Sequence, residues 1–564
     1  MQLDDFPYAR PDVKQLKQQF TQLLAEFNAA SRLEEQNDVM AEINKLRSDF
    51  DSMADLVHIR HSIDTQNEFY KQEQEFFDEN RPVVEEYITD YYRALVHSRF
   101  RDGLEEKWGT QLFQLAELSL KAFIPAIIED LQKENKLVTE YDALIASAKI
   151  IFEGEERTLS QLRPFQQSTD RDLRKRAAEA ASGFMTQHEE QLDRIYDDLV
   201  KTRTHIASKL GYSSFVELGY IRMSRTDYNA DMVARFREQV RASIVPIVSK
   251  LKKRQQERIG VDQLLYYDEN LSFLSGNAVP KGDPDWIIEN GAAMYAELSP
   301  ETDAFFQYMQ THKLMDLLSK KGKMSGGYCT YISKFKAPFI FANFNGTADD
   351  IDVLTHEAGH AFQVYSSSGF EVPEYYWPTY EAAEIHSMSM EFLTWPWMER
   401  FFQEDTDKYR FNHLAGALTF IPYGVTVDEF QHYVYENPDA TPTERKQAWR
   451  EIEKKYLPHR NYEENSYYEQ GGYWHKQGHV FGSPFYYIDY TLAQICAFQF
   501  WKRMREDREA AWASYMNLCR LGGSLSFTAL VREAGLISPF QDGCVDSVIG
   551  EIEEWLNGVD DKAL

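Results

Sequence analysis

The sequence predicts a mainly α-helical protein with one small β-sheet in its second half. Apolar residues recur at spacings of three and four over long stretches, as expected for the buried face of an α-helix. Strand-like segments are short, and the two clearest lie just before residue 350. With 564 residues, 43% of them hydrophobic, the chain can bury the core of one large helical body or of several lobes.

The first 110 residues are predicted to form long antiparallel helices. Apolar positions repeat over residues 13–27 and again over residues 40–50. Further helices are expected at about residues 65–79 and 83–100, with Pro82 opening the second, because proline is tolerated in a first turn. This region carries no catalytic pattern, so we expect it to wall or cover a cavity. The alternative is a plain stabilising bundle.

Helical segments continue through the middle of the chain with two interruptions. Residues 149–159 are predicted to form a small β-hairpin that turns at Gly154, and residues 264–268 are strand-like. A solvated helix is expected to start within residues 169–176, where a Thr or Asp cap precedes alternating charges.

Residues 325–332 and 337–344 are predicted to be the two strands of the small sheet. An Asn-Gly pair closes the second strand. An open edge of such a sheet can hydrogen-bond an extended peptide whatever its side chains, although ordinary short sheet elements have the same pattern.

The C-terminal part is predicted to be helical near residues 411–436 and 443–456. Residues 461–479 are rich in glycine and aromatic residues, which favours a mobile loop over a packed helix. No linker marks a domain boundary. We place one near residue 200, which gives a helical N-terminal region of residues 1–200 and a second region of residues 201–564.

Residues 354–362, LTHEAGHAF, contain two histidines four apart with a glutamate directly after the first. On an α-helix, His356 and His360 lie one above the other and can offer nitrogens to one metal ion. Glu357 lies about 100° round the helix, beside the metal, where it can take a proton from a bound water. This HExxH pattern is typical of zinc hydrolases.

A catalytic zinc site needs a third protein ligand and an open position for water. The best candidate is Glu384, 24 residues after His360 in a run without Gly or Pro that predicts a helix. A helix, a turn and a returning helix fit this interval. Glu381, Glu391 and Asp352 are candidate partners for the outer N–H groups of the two histidines. We expect one zinc ion per chain.

Peptide hydrolysis also needs donors for the negative charge that develops on the carbonyl oxygen. His479 and Tyr490, on either side of a predicted turn, can supply an N–H and an O–H. Because the chain has 33 tyrosines, a structural role for Tyr490 is the alternative.

The charge balance argues against two classes of partner. The chain has 61 Lys and Arg against 90 Asp and Glu, a formal charge of -29, so nucleic acid and anionic membrane surfaces would repel it. Four scattered cysteines without a CxxC pair favour a reduced compartment. The N-terminus lacks the features of a secretory signal, and no run approaches the about 18 apolar residues of a membrane span. We expect a cytoplasmic protein without a membrane partner.

Together, the HExxH motif, Glu384 and the stretch from His479 to Tyr490 resemble the thimet-oligopeptidase-like gluzincins, in particular the oligoendopeptidase F and Pz-peptidase branch. The resemblance covers most of the second half of the chain. It implies a bowl-like helical body with a deep substrate channel, in which residues 201–564 form the catalytic domain. It also implies that His356, His360 and Glu384 bind zinc and that Glu357 acts as general base and then general acid.

By the same resemblance, His479 and Tyr490 stabilise the oxyanion, and Tyr486 or Tyr487 contacts the substrate. The spacing within this stretch differs by one residue from some relatives, which leaves both tyrosines open. Gly326 and Gly327, at the start of the first predicted strand, are further candidates for substrate binding.

The sequence therefore predicts a zinc-dependent endopeptidase that cleaves internal bonds of short, unstructured peptides, since the implied channel excludes folded chains. The nearer alternative is a carboxypeptidase or dipeptidyl carboxypeptidase on the same architecture. It would need a cation beside the site, for which Lys334, Lys336 and Lys476 are candidates. The more distant alternative is a non-enzymatic peptide-binding protein with a vestigial metal site.

Overall fold

A computed structural model describes residues 2–564 and confirms a predominantly α-helical chain. In the first half the α-helices span Val13–Ala29, Leu33–Ile63, Glu68–Val96, Arg101–Trp108, Thr110–Ala122, Ile128–Ala146, Arg163–Gln166, Arg171–Gln187, Glu189–Lys209, Phe215–Arg222, Ala230–Gln239 and Val245–Arg258. In the second half they span Pro284–Leu298, Pro300–Thr311, Asp349–Ser367, Tyr380–Leu393, Glu399–Phe402, Thr406–Glu436, Pro442–Tyr456, Ser466–Glu469, Gly478–Gly482, Tyr487–Glu506, Arg508–Leu521, Phe527–Glu533 and Cys544–Gly558.

Most of the predicted helices are confirmed, and several of them start at a side-chain cap. Asp12 accepts hydrogen bonds from two N–H groups at the start of Val13–Ala29. Asp170 caps Arg171–Gln187 in the same way, as the sequence predicted. Each cap satisfies backbone donors that have no partner within the helix.

The N-terminal region contains one long helix where two were predicted. Glu68–Val96 continues through Pro82, so the expected helix start after this proline is wrong. Proline cannot donate a hydrogen bond to the carbonyl four residues earlier. That carbonyl, of Asp78, instead accepts a hydrogen bond from the side chain of Asn135 at 3.1 Å. A neighbouring helix thus replaces the missing backbone bond.

The predicted hairpin is formed by the antiparallel strands Ile150–Phe152 and Glu155–Arg157. The two residues between them, Glu153 and Gly154, have φ angles of 50° and 80°. Two positive φ angles give the tight turn whose twist matches that of the strands.

A three-stranded sheet precedes the HExxH motif. Its central strand, Ala337–Phe344, pairs antiparallel with Tyr328–Ile332 and parallel with Met315–Leu318. The first two strands confirm the prediction, whereas Met315–Leu318 is too short to stand out in the sequence. Tyr328–Ile332 is an edge strand of this sheet.

The central strand leads into the helix Asp349–Ser367, which carries the motif and packs against the helix Tyr380–Leu393. The two helices pack closely at Gly359. A Cβ atom there would lie 2.7 Å from the backbone of both His386 and Ser387. Only glycine allows this approach, which brings the side chains of the two helices to one site.

Residues 264–268 form a turn, so the strand predicted there is wrong. The carboxylate of Asp268 accepts a hydrogen bond from the backbone N–H of Leu265 at 3.1 Å. The same carboxylate pairs with Arg171 and Arg174, each at 2.7 Å. A buried ionic anchor therefore overrides the strand propensity of the aromatic residues.

The mobile loop predicted over residues 461–479 is also wrong, because this stretch folds into short helical segments. Trp474 and His475 within it are buried. The ring of Trp474 packs against that of Tyr196, with 4.5 Å between the centroids. The aromatic residues are core residues, and the glycines allow close packing around them.

The boundary predicted near residue 200 falls inside the helix Glu189–Lys209, which runs without a break. All four cysteines are free. In the described part of the chain, no single helix is long and apolar enough to cross a membrane. One bent pair, Thr110–Ala122 with Pro125–Ala146, meets the criterion by length and composition only.

Candidate active site

The two motif histidines and Glu384 converge on one point. The Nε2 atoms of His356 and His360 lie 3.2 Å and 3.3 Å from the same atom, Oε2 of Glu384. One potential ligand atom from each residue lies within 4.8 Å of the other two. Two imidazole nitrogens and one carboxylate oxygen are a donor set of catalytic zinc sites. The three residues therefore fit a single metal ion.

Glu384 is buried and held in place by hydrogen bonds. Its side chain is 1% exposed. The hydroxyl of Ser387 donates to Oε2 at 2.8 Å, and the hydroxyl of Tyr486 donates to Oε1. Burial acts to raise the pKa of Glu384, but His360 and His356 hold this pKa well below its usual range. The carboxylate is therefore ionised at neutral pH, as a metal ligand must be.

A chain of hydrogen bonds fixes the ring of His356. Its Nδ1 lies 2.7 Å from Oε1 of Glu391, and Oε2 of Glu391 lies 2.8 Å from Nε2 of His413. The indole N–H of Trp395 donates to Nδ1 of His413 at 3.0 Å. Because Nδ1 of His413 accepts, its Nε2–H donates to Glu391. Glu391 then accepts the Nδ1–H of His356, which leaves Nε2 of His356 for the metal.

The predicted contact between Glu391 and a motif histidine is thus confirmed, whereas the other two predicted partners are wrong. Asp352 accepts a hydrogen bond from the hydroxyl of Tyr409 at 2.6 Å. Burial and the charge of Asp489 raise the pKa of Glu381 well above its usual range, and the Nδ1 atom of His356 bonds Glu391 instead. Within residues 2–564, Nδ1 of His360 has no hydrogen-bond partner.

Glu357 is 6% exposed, and its Oε2 has no partner among the described residues. Burial raises its pKa, and the charges of His356 and His360 oppose this rise. Its Oε1 would lie 3.2 Å from a Cβ atom at Gly327, so glycine leaves room for the carboxylate beside the edge strand. A carboxylate with a raised pKa and a free oxygen beside a metal site suits proton transfer.

His479 and Tyr490 line the same cavity as the three ligand residues. Nε2 of His479 lies 3.0 Å from the hydroxyl of Tyr490. Burial lowers the pKa of His479 to about 4, so its ring is neutral at pH 7. Burial and the charge of Glu384 raise the pKa of Tyr490 well above its usual range. The tyrosine is therefore a protonated donor at any working pH.

Of the two tyrosines left open by the sequence, Tyr486 lines this cavity and Tyr487 does not. Tyr487 packs against Phe420 and Tyr423, with ring centroids 5.7 Å and 5.8 Å away. Of the two glycines, Gly327 lines the cavity, whereas Gly326 lies outside the lining.

The cavity has a volume of about 850 Å³ and lies between the metal-side helices and the N-terminal helices. Edge-strand residues 328–331 form part of its lining. The helices Leu33–Ile63 and Glu68–Val96 contribute Arg47, Asp51, Asp55, Arg81 and Glu85 to the facing side of the lining.

The lysines considered for an exopeptidase do not line this cavity. Lys334 pairs with Asp49 at 2.7 Å. Lys476 places its ammonium 3.7 Å from the ring centroid of Tyr473 and borders a second cavity of about 450 Å³. Lys336 forms the left-handed turn before the central strand.

Sequence reasoning missed His413, Trp395, Gln477 and Tyr423, whose hydrogen bonds lead to His356 through Glu391 or to His479. The first two and Tyr423 come from elements far along the chain from the motif. Only the position of Gln477, two residues before His479, offered a signal in the sequence.

Two family models match the chain. Residues 3–123 match the peptidase M3 N-terminal domain, and residues 303–548 match peptidase family M3. The solved structure of Pz peptidase A with an inhibitor is 65% identical, with full coverage of both chains and a TM-score of 0.99. A candidate oligoendopeptidase F from Bacillus anthracis strain Ames is 60% identical over 100% of this chain and 99% of that one, with a TM-score of 0.95.

The curated relative group B oligopeptidase PepB, from Streptococcus agalactiae, is 24% identical over 312 residues, which are 52% of this chain. The match spans about half of that relative, 48% of its length. The full-length likeness to two solved structures, the family models and the geometry of the HExxH motif agree. The chain therefore belongs to peptidase family M3.

Proposed function

We propose that this chain is a zinc-dependent endopeptidase that cleaves internal bonds of short, unstructured peptides. His356, His360 and Glu384 would hold one zinc ion, which lowers the pKa of a bound water to about 7 and polarises the carbonyl. The convergence of these three side chains beside Glu357, in one cavity, is the observation that carries the proposal.

Glu357 would take the proton of the attacking water and then deliver a proton to the leaving amine. Its free oxygen and raised pKa support this role. Tyr490 would donate its O–H to the carbonyl oxygen as negative charge develops there, with His479 bonded behind it. Tyr486 would sit beside the substrate and hold Glu384.

The substrate would lie extended along the edge strand Tyr328–Ile332, which faces the cavity. Backbone hydrogen bonds to such an edge bind a peptide without regard to its side chains. Because helices wall the cavity on the opposite side, a folded protein would not reach the metal ligands. Short peptides are therefore the proposed substrate class, as the names of the oligopeptidase relatives suggest.

An endopeptidase is favoured over an exopeptidase by the cations of the cavity. Of the two that line it, Arg47 is paired with Glu374 at 2.6 Å. Arg81 belongs to the facing wall, with Asp51, Asp55 and Glu85 in the same lining. The charge of Arg81 acts on all three of these carboxyl groups. None of the candidate lysines lines the cavity within residues 2–564, which weakens the case for a receptor of a terminal carboxylate.

A doubly blocked peptide tests the proposal. A short, internally quenched peptide, acetylated and amidated at its ends, should be cut at an internal bond, as located by mass spectrometry. Chelation should abolish cleavage, and zinc should restore it. Cleavage of the unblocked peptide alone, by removal of terminal residues, would instead establish the exopeptidase.

We further propose that the protein works in the cytoplasm and has neither nucleic acid nor membrane as a partner. The support is the formal charge of -29 and the four free cysteines.

A further inference from the structure

The side chain of Gln477 lies between Tyr423 and His479. The hydroxyl of Tyr423 donates to Oε1 of Gln477 at 3.0 Å. The amide nitrogen Nε2 of Gln477 lies 2.9 Å from Nδ1 of His479. Since an amide nitrogen only donates, Nδ1 of His479 accepts this hydrogen bond.

This bond determines where His479 carries its proton. A neutral imidazole has one N–H, so acceptance at Nδ1 places the proton on Nε2. Nε2–H then donates to the oxygen of Tyr490, 3.0 Å away. Tyr490 therefore does not donate its hydroxyl proton to His479. The O–H can instead donate to an acceptor in the cavity. In the other tautomer, Nε2 would accept that proton.

The surroundings hold Gln477 in this position. Its backbone N–H donates to the carbonyl of Trp474 at 2.8 Å, and its carbonyl accepts from Val480 at 3.0 Å. Tyr423 projects from the long helix Thr406–Glu436, and its ring packs edge-on against Tyr487. Tyr423 and His479, the two ends of this series of hydrogen bonds, thus both lie on helices.

We propose that Gln477 is a positioning residue that selects the Nε2–H tautomer of His479 and so directs the O–H of Tyr490 at the carbonyl oxygen of the substrate. Tyr423 orients the Gln477 amide for this purpose. The inference rests on the proposed function, because it concerns the transition state of peptide hydrolysis.

A double-mutant cycle with the blocked peptide tests it. Gln477→Met removes the amide and should lower kcat about tenfold while KM changes little, because the group it directs acts only in the transition state. Tyr423→Phe should lower kcat by a smaller factor, about threefold. In a Tyr490→Phe background, neither substitution should lower kcat further, because the hydroxyl that both direct is gone.

Gln499→Met is the structural control, since this glutamine bonds the backbone of Ile537 and does not line the cavity. It should lower the unfolding midpoint and leave kcat unchanged. If Gln477→Met lowers kcat equally with and without the Tyr490 hydroxyl, or leaves kcat unchanged, the inference is overturned. If Gln477→Met fails to fold, the same comparison of kcat with and without the Tyr490 hydroxyl is made with Tyr423→Phe.

The outcomes separate this inference from the proposed function. Failure of the wild-type protein to cleave the blocked peptide overturns the proposed function. Wild-type cleavage that is impaired by Tyr490→Phe but unaffected by Gln477→Met and Tyr423→Phe overturns this inference alone.

Discussion

The two walls of the cavity differ in how their polar groups are satisfied. On the metal side, Glu384 in the lining and Glu391 behind it each use both carboxylate oxygens in contacts with neighbouring side chains, and Glu357 keeps one oxygen free for the reaction. On the N-terminal side, Asp51, Asp55 and Glu85 line the cavity, and the structure of residues 2–564 shows no hydrogen bond or ion pair for them. Burial raises the pKa of all three carboxyls, to about 7 for Asp55, and the charge of Arg81 opposes the rise.

This difference separates two tasks. Side chains that are bonded on every polar atom keep one geometry, which the chemical step requires. Carboxyl groups without a hydrogen bond or ion pair within the chain are free to interact with a peptide bound in the cavity. Substitutions on the metal-side wall should therefore act mainly on kcat or metal affinity, and substitutions on the N-terminal wall mainly on KM.

The largest effect is expected for Glu357→Gln. Glutamine has nearly the same shape but cannot take the proton of water, so kcat should fall by about 10⁴-fold. Zinc content by elemental analysis should stay at the wild-type level, because Glu357 is not among the converging ligands. Exposed Glu371→Gln is the control and should leave both quantities unchanged. Near wild-type turnover in Glu357→Gln would remove Glu357 from the reaction.

Tyr490→Phe should have the next largest effect, a loss of about 10²-fold in kcat with little change in KM, as for removal of one oxyanion donor. Steady-state kinetics on the blocked peptide measure both. Tyr433→Phe, on the helix Thr406–Glu436, is a matched control outside the cavity. An equal fall in both variants would assign Tyr490 a structural role.

Glu391→Gln should weaken zinc binding by about 10- to 100-fold, because the ring of His356 loses its carboxylate partner. Competition with a zinc chelator measures the affinity. At saturating zinc, kcat should recover most of its wild-type value. Glu399→Gln, at an exposed position one helix further on, should bind zinc as the wild type does. Unchanged affinity in Glu391→Gln would contradict the role of this hydrogen bond.

The smallest effect is expected on the N-terminal wall. Asp55→Asn should raise KM for a cationic peptide about threefold and leave kcat unchanged. Since the pKa of Asp55 is about 7, its carboxyl is charged above this pH and neutral below it. The rise in KM should therefore be present at pH 8 and largely absent at pH 6. Exposed Asp38→Asn on the same helix is the control, and a change in kcat would contradict the division of tasks.

The sequence predicted the parts of the site that depend on local geometry. The i, i+4 spacing of His356 and His360 and the helical setting of Glu384 follow from helix periodicity alone. His413 and Tyr423 could not be predicted in the same way, because the helix Thr406–Glu436 reaches the site only through tertiary packing.

The errors in the fold share this cause. Pro82 does not end its helix because Asn135, from another helix, bonds the free carbonyl. Residues 461–479 look irregular by composition, yet their aromatic rings pack into the core. In both places, long-range contacts override a correct reading of local propensity.

The most direct test of the account is the zinc content and turnover of Glu384→Ala beside the wild type, after equilibrium dialysis against limiting zinc. Convergence of three ligands predicts about one zinc per chain in the wild type, and little zinc and no measurable cleavage in the variant. A variant that keeps one zinc per chain and wild-type cleavage would contradict the claim that Glu384 completes the metal site.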